Sequence, residues 1–177
     1  MKFYSNIGFS LFFLLITTTA YSYNKSLRPV TVELKNASGE KIGTALLTQT
    51  KKGVLLSIEV SKLSPGQHGI HFHEKGDCKG PDFKSAGGHF GAEGKEHGLD
   101  NPKGPHGGDL PNLVVKEDGT ATAEMTTQRV TLKSGKNSLL KPGRASLIIH
   151  AKLDDQKTSP SGDSGDRIAC GVIGLNQ

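Results

Sequence analysis

The segment from His68 to Leu113 reads HGIHFHEKGDCKGPDFKSAGGHFGAEGKEHGLDNPKGPHGGDLPNL, and it contains six of the seven histidines of the chain. Glycine is frequent in it, and between His73 and Leu110 the apolar residues show almost no periodicity. A segment of this length without secondary structure of its own is uncommon in a compact domain unless something functional orders it. Histidine, carboxylate and cysteine side chains are the groups that a metal ion and a disulfide would use. We therefore predict a loop folded around metal, with the rest of the chain as its scaffold.

The first 22 residues predict a secretory signal peptide that is cleaved after Ser22. Lys2 supplies a positive charge near the amino terminus, residues 7–16 form a short apolar run, and Ala20 and Ser22 place small side chains at the −3 and −1 positions of the cleavage site. The apolar run is too short to span a membrane as a helix. We expect residues 23–177 to form one exported domain without a membrane span, in the periplasm or, as an alternative, in the extracellular space.

Charge and cysteine content narrow the class of protein further. The formal net charge is +5 at pH 7. The Lys and Arg residues are scattered without interleaved aromatic residues, which argues against nucleic-acid binding. A weakly positive field favours a small anionic substrate. In an exported chain the two cysteines, Cys78 and Cys170, predict one disulfide that ties the histidine-rich loop to the last strand.

Short alternating segments separated by turn residues run through the remaining chain, and no window shows a helical period. The eight predicted strands cover residues 31–35, 41–49, 54–60, 69–74, 112–116, 120–127, 145–151 and 168–173. This pattern predicts an all-β fold, an eight-stranded antiparallel Greek-key barrel or sandwich with long metal-binding and active-site loops.

Three histidines lie on predicted strands. His71 and His73 are two residues apart, so their side chains point to the same face of one strand. His150 lies in the apolar run ASLIIHA, where an imidazole without a partner would be unfavourable. Any one of them alone is compatible with a hydrogen-bonded core histidine. The three together with the histidines of the loop favour metal ligation.

The loop itself offers a second set of ligands. Three nitrogen donors and one carboxylate would form a tetrahedral zinc shell, from His89, His97, His106 and Asp109. Two separate sites would need more donors than the strands supply. If His89 used both ring nitrogens as a deprotonated bridge, a second ion would be held by His71, His73, His89 and His150. An all-imidazole site with an open position suits copper, which is redox active.

Several motifs resemble those of the copper/zinc superoxide dismutases: GIHFHE, GDC, SAGGHF, KEHG, GPHGGDLPNL and GDRIACGVIG. The resemblance covers essentially all of the predicted mature chain. It implies dismutation of the superoxide anion into dioxygen and hydrogen peroxide. It also implies copper on His71, His73, His89 and His150, and zinc on His89, His97, His106 and Asp109.

The resemblance implies further roles for single residues. His89 is implied as the bridging imidazolate that also carries a proton, and Arg167 as the residue that holds the anion beside copper. Asp154 is implied to hydrogen-bond both His71 and His97, and Cys78 and Cys170 to form the family's disulfide. The loop from Asp154 to Asp166 is shorter than in the cytosolic members, and Lys157 is a candidate for steering the anion. We expect the seventh histidine, His68, to be structural.

Two alternatives stay open at this point. A non-catalytic copper- and zinc-binding chaperone or storage protein would keep the fold. Non-enzymatic relatives tend to lose copper ligands or the arginine, however, whereas this chain retains both. The family includes monomers as well as dimers, so a homodimer is an expectation that the sequence leaves undecided.

Overall fold

The computed structural model describes Met1, residues 28–143 and residues 145–174. The predicted signal peptide therefore lies outside the described residues except for Met1. Nine strands are present: β1 (Val30–Asn36), β2 (Lys41–Thr50), β3 (Gly53–Val60), β4 (Gly66–His68), β5 (Ile70–His73), β6 (Leu113–Val115), β7 (Ala121–Thr127), β8 (Ala145–His150) and β9 (Arg167–Ile173). A 3-10 turn covers Lys84–Ala86. Within these described ranges no helix is long and apolar enough to cross a membrane.

The strands form two antiparallel sheets. The large sheet has the order β5-β8-β9-β1-β2-β3-β7, and β4 pairs with β6 in a second, two-stranded sheet. Strands β1, β2 and β3 follow one another as antiparallel neighbours, whereas β7 pairs with β3, β8 with β5 and β9 with β1. Returns of this kind over long connections are typical of Greek-key folds. The prediction of an all-β antiparallel Greek-key fold is confirmed.

The core follows from the alternation of apolar and polar residues along the strands. In β1, Val30, Val32 and Leu34 are buried while the residues between them are exposed. The inward side chains of β2, β3 and β7 continue the same layer. Because successive side chains of a strand point to opposite faces, this alternation places one face of the sheet in the core and the other in water.

Strands β5 and β8 depart from this alternation because both of their faces are covered. All four residues of β5 and all six residues of β8 are buried. One face packs into the main core through Ile70, Phe72 and Leu147. The other face carries the histidines and lies under the long loop that follows β5, so polar side chains there are removed from water.

One strand lies outside the predicted set. The strand predicted over residues 69–74 corresponds to β5, whereas residues 66–68 form the additional strand β4, which pairs with β6 in the small sheet before the chain changes sheets at Gly69. A Cβ atom at Gly69 would lie 2.8 Å from the Cβ of Ser164, closer than real Cβ atoms approach. The strand count is therefore nine rather than eight. Close packing at a glycine sets the break, and propensity alone does not reveal it.

The predicted disulfide between Cys78 and Cys170 is confirmed. It joins the loop after β5 to the middle of β9, across a sequence separation of 92 residues. Phe83, Ala86 and Ile148 pack around it in a small buried cluster. The disulfide and this cluster together hold the loop against the outer face of β8 and β9.

We expect loss of the disulfide to destabilise the metal-free protein strongly. In the chain-entropy treatment, a cross-link over a loop of this length contributes about 4–5 kcal/mol by restricting the unfolded chain. Urea unfolding of the Cys78→Ala/Cys170→Ala variant should show a loss of this order. Reduced wild type keeps both side chains and serves as the control, so it should show a similar loss. A difference below about 1 kcal/mol in both samples would contradict the expectation.

Candidate metal centre

Pairing of three neighbouring strands brings four polar side chains to one face of the large sheet. His71 and His73 project from β5, which pairs with β8 in antiparallel register. A register shift after Ile149 sets His150 opposite Arg167, the first residue of β9. Residues directly opposite each other in antiparallel strands share a face. His71 and His73 are two residues apart on β5, so their side chains also share this face, as the sequence predicted.

The loop after β5 returns along the free edge of that strand and pairs with it through backbone groups. The Phe72 N–H donates to the Gly108 carbonyl at 3.0 Å, and the Phe90 N–H donates to the Phe72 carbonyl at 2.8 Å. A Cβ at position 108 would collide with the Phe72 carbonyl, so this approach requires glycine. These bonds set His89 and Asp109 beside the two histidines of β5.

Four ring nitrogens in this region have no hydrogen-bond partner within residues 28–143 and 145–174: His71 Nδ1, His73 Nε2, His89 Nε2 and His150 Nε2. The four residues form a group whose ligand atoms lie within 4.8 Å of one another, and all four are buried. A buried polar atom without a partner costs roughly 1–3 kcal/mol. One metal ion accepting four lone pairs would satisfy all of them, so these residues fit a metal bound by imidazole.

The other nitrogen of each strand histidine is held by an acceptor. The three contacts are His71 Nε2 to Asp154 Oδ2 at 2.7 Å, His73 Nδ1 to the Gly87 carbonyl at 3.0 Å and His150 Nδ1 to the Gly165 carbonyl at 3.1 Å. Carbonyl and carboxylate oxygens only accept, so each of these nitrogens carries the hydrogen. The lone pair of each neutral ring is therefore on the nitrogen that faces the common point.

A second group of donors surrounds one oxygen of Asp109. His89 Nδ1 lies 2.9 Å from Asp109 Oδ1, His97 Nδ1 lies 3.1 Å from it, and His106 Nδ1 lies 3.5 Å from it. Ligands at about 2.0–2.1 Å around tetrahedral zinc are ~3.3 Å from one another. Asp109 Oδ2 accepts the backbone N–H groups of Gly98 and His106, each at 2.9 Å. This arrangement fits a zinc ion.

His89 belongs to both groups. Its Nδ1 lies among the donors around Asp109, and its Nε2 is one of the four nitrogens without a partner. Its ring lies 4.1 Å from that of His71 and 5.1 Å from that of His97, centroid to centroid. Because one ring supplies a nitrogen to each group, the two candidate ions would share this imidazole.

Asp154 links the two groups by accepting a hydrogen bond from one histidine of each, in both cases from the ring nitrogen that does not face the candidate ion. Its Oδ2 accepts from His71 Nε2 at 2.7 Å, and its Oδ1 accepts from His97 Nε2 at 2.9 Å. Burial would raise the pKa of Asp154, but these hydrogen bonds outweigh burial and hold the pKa well below its usual range. The buried carboxylate therefore stays ionised and fixes the orientation of one ring in each group.

In the metal-free protein, burial keeps most of these rings neutral. Burial, followed by the charge of His89, lowers the pKa of His73 to about 2. Burial also lowers the pKa of His89 to about 4 and that of His150 to about 3. For His97, burial acts in the same direction, but hydrogen bonds to Asp109 and Asp154 outweigh it and raise the pKa to about 9.

Arg167 lies next to the first group. Its Nη1 donates to the Phe83 carbonyl at 2.8 Å, and its Nη2 donates to the Gly87 carbonyl at 2.7 Å. The Gly87 carbonyl also accepts from His73 Nδ1, so one backbone oxygen holds both side chains. The guanidinium is partly exposed and lines a surface cleft together with Pro81, Asp82, Lys84, Gly165 and Asp166.

Two other sequence expectations can be compared with the structure. Lys157 is not among the residues lining this cleft, whereas Lys84 is. Sequence reasoning did not single out Lys84, because an exposed loop lysine carries no signal of its own. His68 lies outside both ligand groups, and its two nitrogens contact the carbonyls of His150 and Ser64 at 2.7 and 2.9 Å. These contacts agree with the structural role expected for it.

The fold and these groups define an all-β protein whose loops and strands offer two adjoining metal sites through a shared imidazole. A family profile described as copper/zinc superoxide dismutase (SODC) matches residues 41–173. The chain belongs to this family, and the resemblance inferred from the sequence motifs is confirmed.

Individual relatives agree with the family profile. Cu-Zn superoxide dismutase 2 of Aquifex aeolicus is 50% identical over 143 residues, which cover 80% of this chain and 84% of that protein. The Cu-Zn superoxide dismutase of Caulobacter vibrioides is 47% identical over 146 residues, covering 81% and 84%. The crystal structure of a double mutant of a SOD-like protein from Bacillus subtilis has a TM-score of 0.79 at 43% identity, covering 82% of this chain and 97% of that one.

We expect acid to destabilise the metal-free protein. His73, His89 and His150 stay neutral in the folded state down to pH values of about 2, 4 and 3. In the unfolded chain each accepts a proton near pH 6.5, so each removes up to ~1.4 kcal/mol per pH unit below that value. The raised pKa of His97 has the opposite effect. Protonated His97 adds to the free energy of unfolding at low pH, and this contribution is lost as the pH rises through about 9.

Urea unfolding of metal-free protein at pH 7, 6 and 5 tests this expectation. The free energy of unfolding should fall as the pH falls. The His73→Gln variant removes one of the titrating rings. The slope of the free energy of unfolding against pH should then correspond to the uptake of about one proton fewer on unfolding. Equal stability at the three pH values, or an unchanged slope in the variant, would contradict the assignment of neutral buried rings.

Proposed function

We propose that this protein dismutates superoxide, converting two superoxide anions and two protons into dioxygen and hydrogen peroxide. The main observation behind the proposal is the group of four unpartnered imidazole nitrogens beside Arg167, joined through His89 to the donors around Asp109. Membership of the copper/zinc superoxide dismutase family and the names of the relatives support the same activity.

The proposal assigns copper to His71, His73, His89 and His150, and zinc to His89, His97, His106 and Asp109. Copper would supply the redox step by alternating between Cu²⁺ and Cu⁺, and zinc would hold the shared imidazole. The neutral rings support this assignment, because each offers a lone pair while its other nitrogen is held by a fixed acceptor.

The protein residues then perform three tasks. Arg167 presents a guanidinium, fixed by two backbone carbonyls, to an anion in the cleft. The single lone pair of His89 Nε2 can bind either copper or a proton, and when it holds a proton it releases it to the departing peroxide, which needs two. Asp154 keeps the rings of His71 and His97 in the orientation that their ligand roles require.

Superoxide consumption by purified protein, with copper and zinc counted per chain in the same sample, tests the function. We expect fast turnover with about one copper and one zinc per chain (one per ligand group). The His150→Ala variant should lose copper and turnover while it retains zinc, because His150 belongs only to the copper group. Full occupancy of both metals without turnover would instead support the chaperone or storage alternative.

A second set of variants separates anion binding from metal binding. Arg167→Met should keep both metals and lose about tenfold or more in the rate with superoxide, because the local positive field beside copper is removed. Lys51→Met removes the same charge from an exposed turn outside the cleft and serves as the control. Equal rates in the two variants would remove Arg167 from the proposed mechanism.

Export is the remaining part of the proposal. The chain is compatible with an exported protein, since it holds a disulfide and is similar to bacterial relatives. We propose cleavage after Ser22 and a periplasmic location, with secretion into the medium as the alternative. Expression of the full chain in a Gram-negative host should give a periplasmic protein that begins at Tyr23, and uncleaved protein in the cytoplasm would contradict this. Sedimentation equilibrium of the same preparation distinguishes a monomer from the homodimer that the family allows.

A further inference from the structure

Asn112 makes two hydrogen bonds to the backbone of Asp154. The Asn112 Nδ2–H donates to the Asp154 carbonyl at 2.8 Å, and the Asp154 N–H donates to Asn112 Oδ1 at 2.9 Å. One bond needs a donor and the other an acceptor, and an amide side chain provides both. Aspartate would place a second acceptor opposite the carbonyl, and alanine would make neither bond.

The position of Asp154 matters because its carboxylate reaches one histidine of each ligand group. It accepts from His71 Nε2 on the copper side and from His97 Nε2 on the zinc side. A third bond comes from the backbone N–H of Gln156 at 2.7 Å. A displacement of the Asp154 backbone would therefore turn or release two ligand rings at once.

Asn112 is well placed to hold that backbone. It directly precedes β6, whose residues pair with β4, so it is attached to the small sheet rather than to a loop tip. It also follows Asp109 by three residues, so one short segment supplies both a zinc ligand and the two bonds to Asp154. The chain around Gly162 packs directly against the Asp154 carboxylate, so closely that a Cβ at Gly162 would collide with it.

We propose that Asn112 is a positioning residue that acts on both metal sites through Asp154. The inference rests on the proposed function for the identity of the metals, although its test does not depend on turnover. The zinc site should be more sensitive than the copper site. His97 belongs to a loop and depends on Asp154 for its orientation, whereas His71 is also fixed by the backbone of β5.

The first test measures zinc and copper dissociation constants by chelator competition for wild type and Asn112→Ala. Loss of a residue that orients metal ligands typically weakens metal binding roughly 10–100-fold. We expect a loss of this size for zinc and a smaller loss for copper. Asn112→Asp keeps the volume of the side chain and should show the same order of losses. Unchanged zinc affinity in either folded variant would overturn the proposal.

A double-mutant cycle with Asp154→Ala tests the route of the effect. If Asn112 acts through the Asp154 carboxylate, Asn112→Ala should weaken zinc binding little further in the Asp154→Ala background. Losses that multiply in full would show that Asn112 acts on the fold by another route and would overturn the proposal. Circular dichroism and urea unfolding identify any variant that fails to fold, in which case the Asn112→Asp measurement decides.

Asn36→Ala is the matched control. Asn36 Oδ1 accepts the backbone N–H groups of Ser38 and Glu40 at 3.1 and 3.0 Å, in the exposed turn between β1 and β2. The variant removes the same type of side chain and two bonds to the backbone, but none of these bonds involves a residue of either ligand group or Asp154. Zinc affinity should stay within about twofold of wild type. If wild type binds both metals with this pattern but does not consume superoxide, the proposed function fails while the role of Asn112 stands.

Discussion

Burial of six imidazoles and two carboxylates in one region is the constraint on which the rest of this structure depends. His71, His73, His89, His97, His106, His150, Asp109 and Asp154 are each at most 6% exposed. Buried polar atoms are costly unless they are paired. Fixed acceptors pair one nitrogen of most of these rings, and the remaining donor atoms face two common points. Metal binding and folding are therefore coupled in this chain.

The two ligand groups are supported in different ways. Three histidines of the group proposed for copper lie on β5 and β8, where backbone pairing fixes them. The residues of the group proposed for zinc lie on the long loop, which has little regular structure of its own. That loop obtains its order from the edge of β5, from the disulfide and from the donors that it carries. The group proposed for copper therefore lies on rigid strands, which hold ligand geometry more precisely than loops, and the group proposed for zinc depends on the contacts of its loop.

The disulfide has a functional as well as a structural consequence. Cys170 lies three residues after Arg167, and Cys78 begins the segment that contains the carbonyls of Phe83 and Gly87. The cross-link thus holds the guanidinium next to the two oxygens that orient it. Because the Gly87 carbonyl also accepts from His73 Nδ1, the placement of the Arg167 guanidinium and of the His73 ring depends on the same backbone atom.

The sequence by itself determined all of the described strands except β4, the shared face of His71 and His73, the disulfide pairing and the family. These properties follow from side-chain alternation, from cysteine count and from motifs that are local in the chain. Only the tertiary structure decided which nitrogen of each ring is free, that Gly69 separates β4 from β5, and that Asn112 holds Asp154. Such contacts join residues that are far apart in sequence, and the path of the loops that brings them together is not contained in any local pattern.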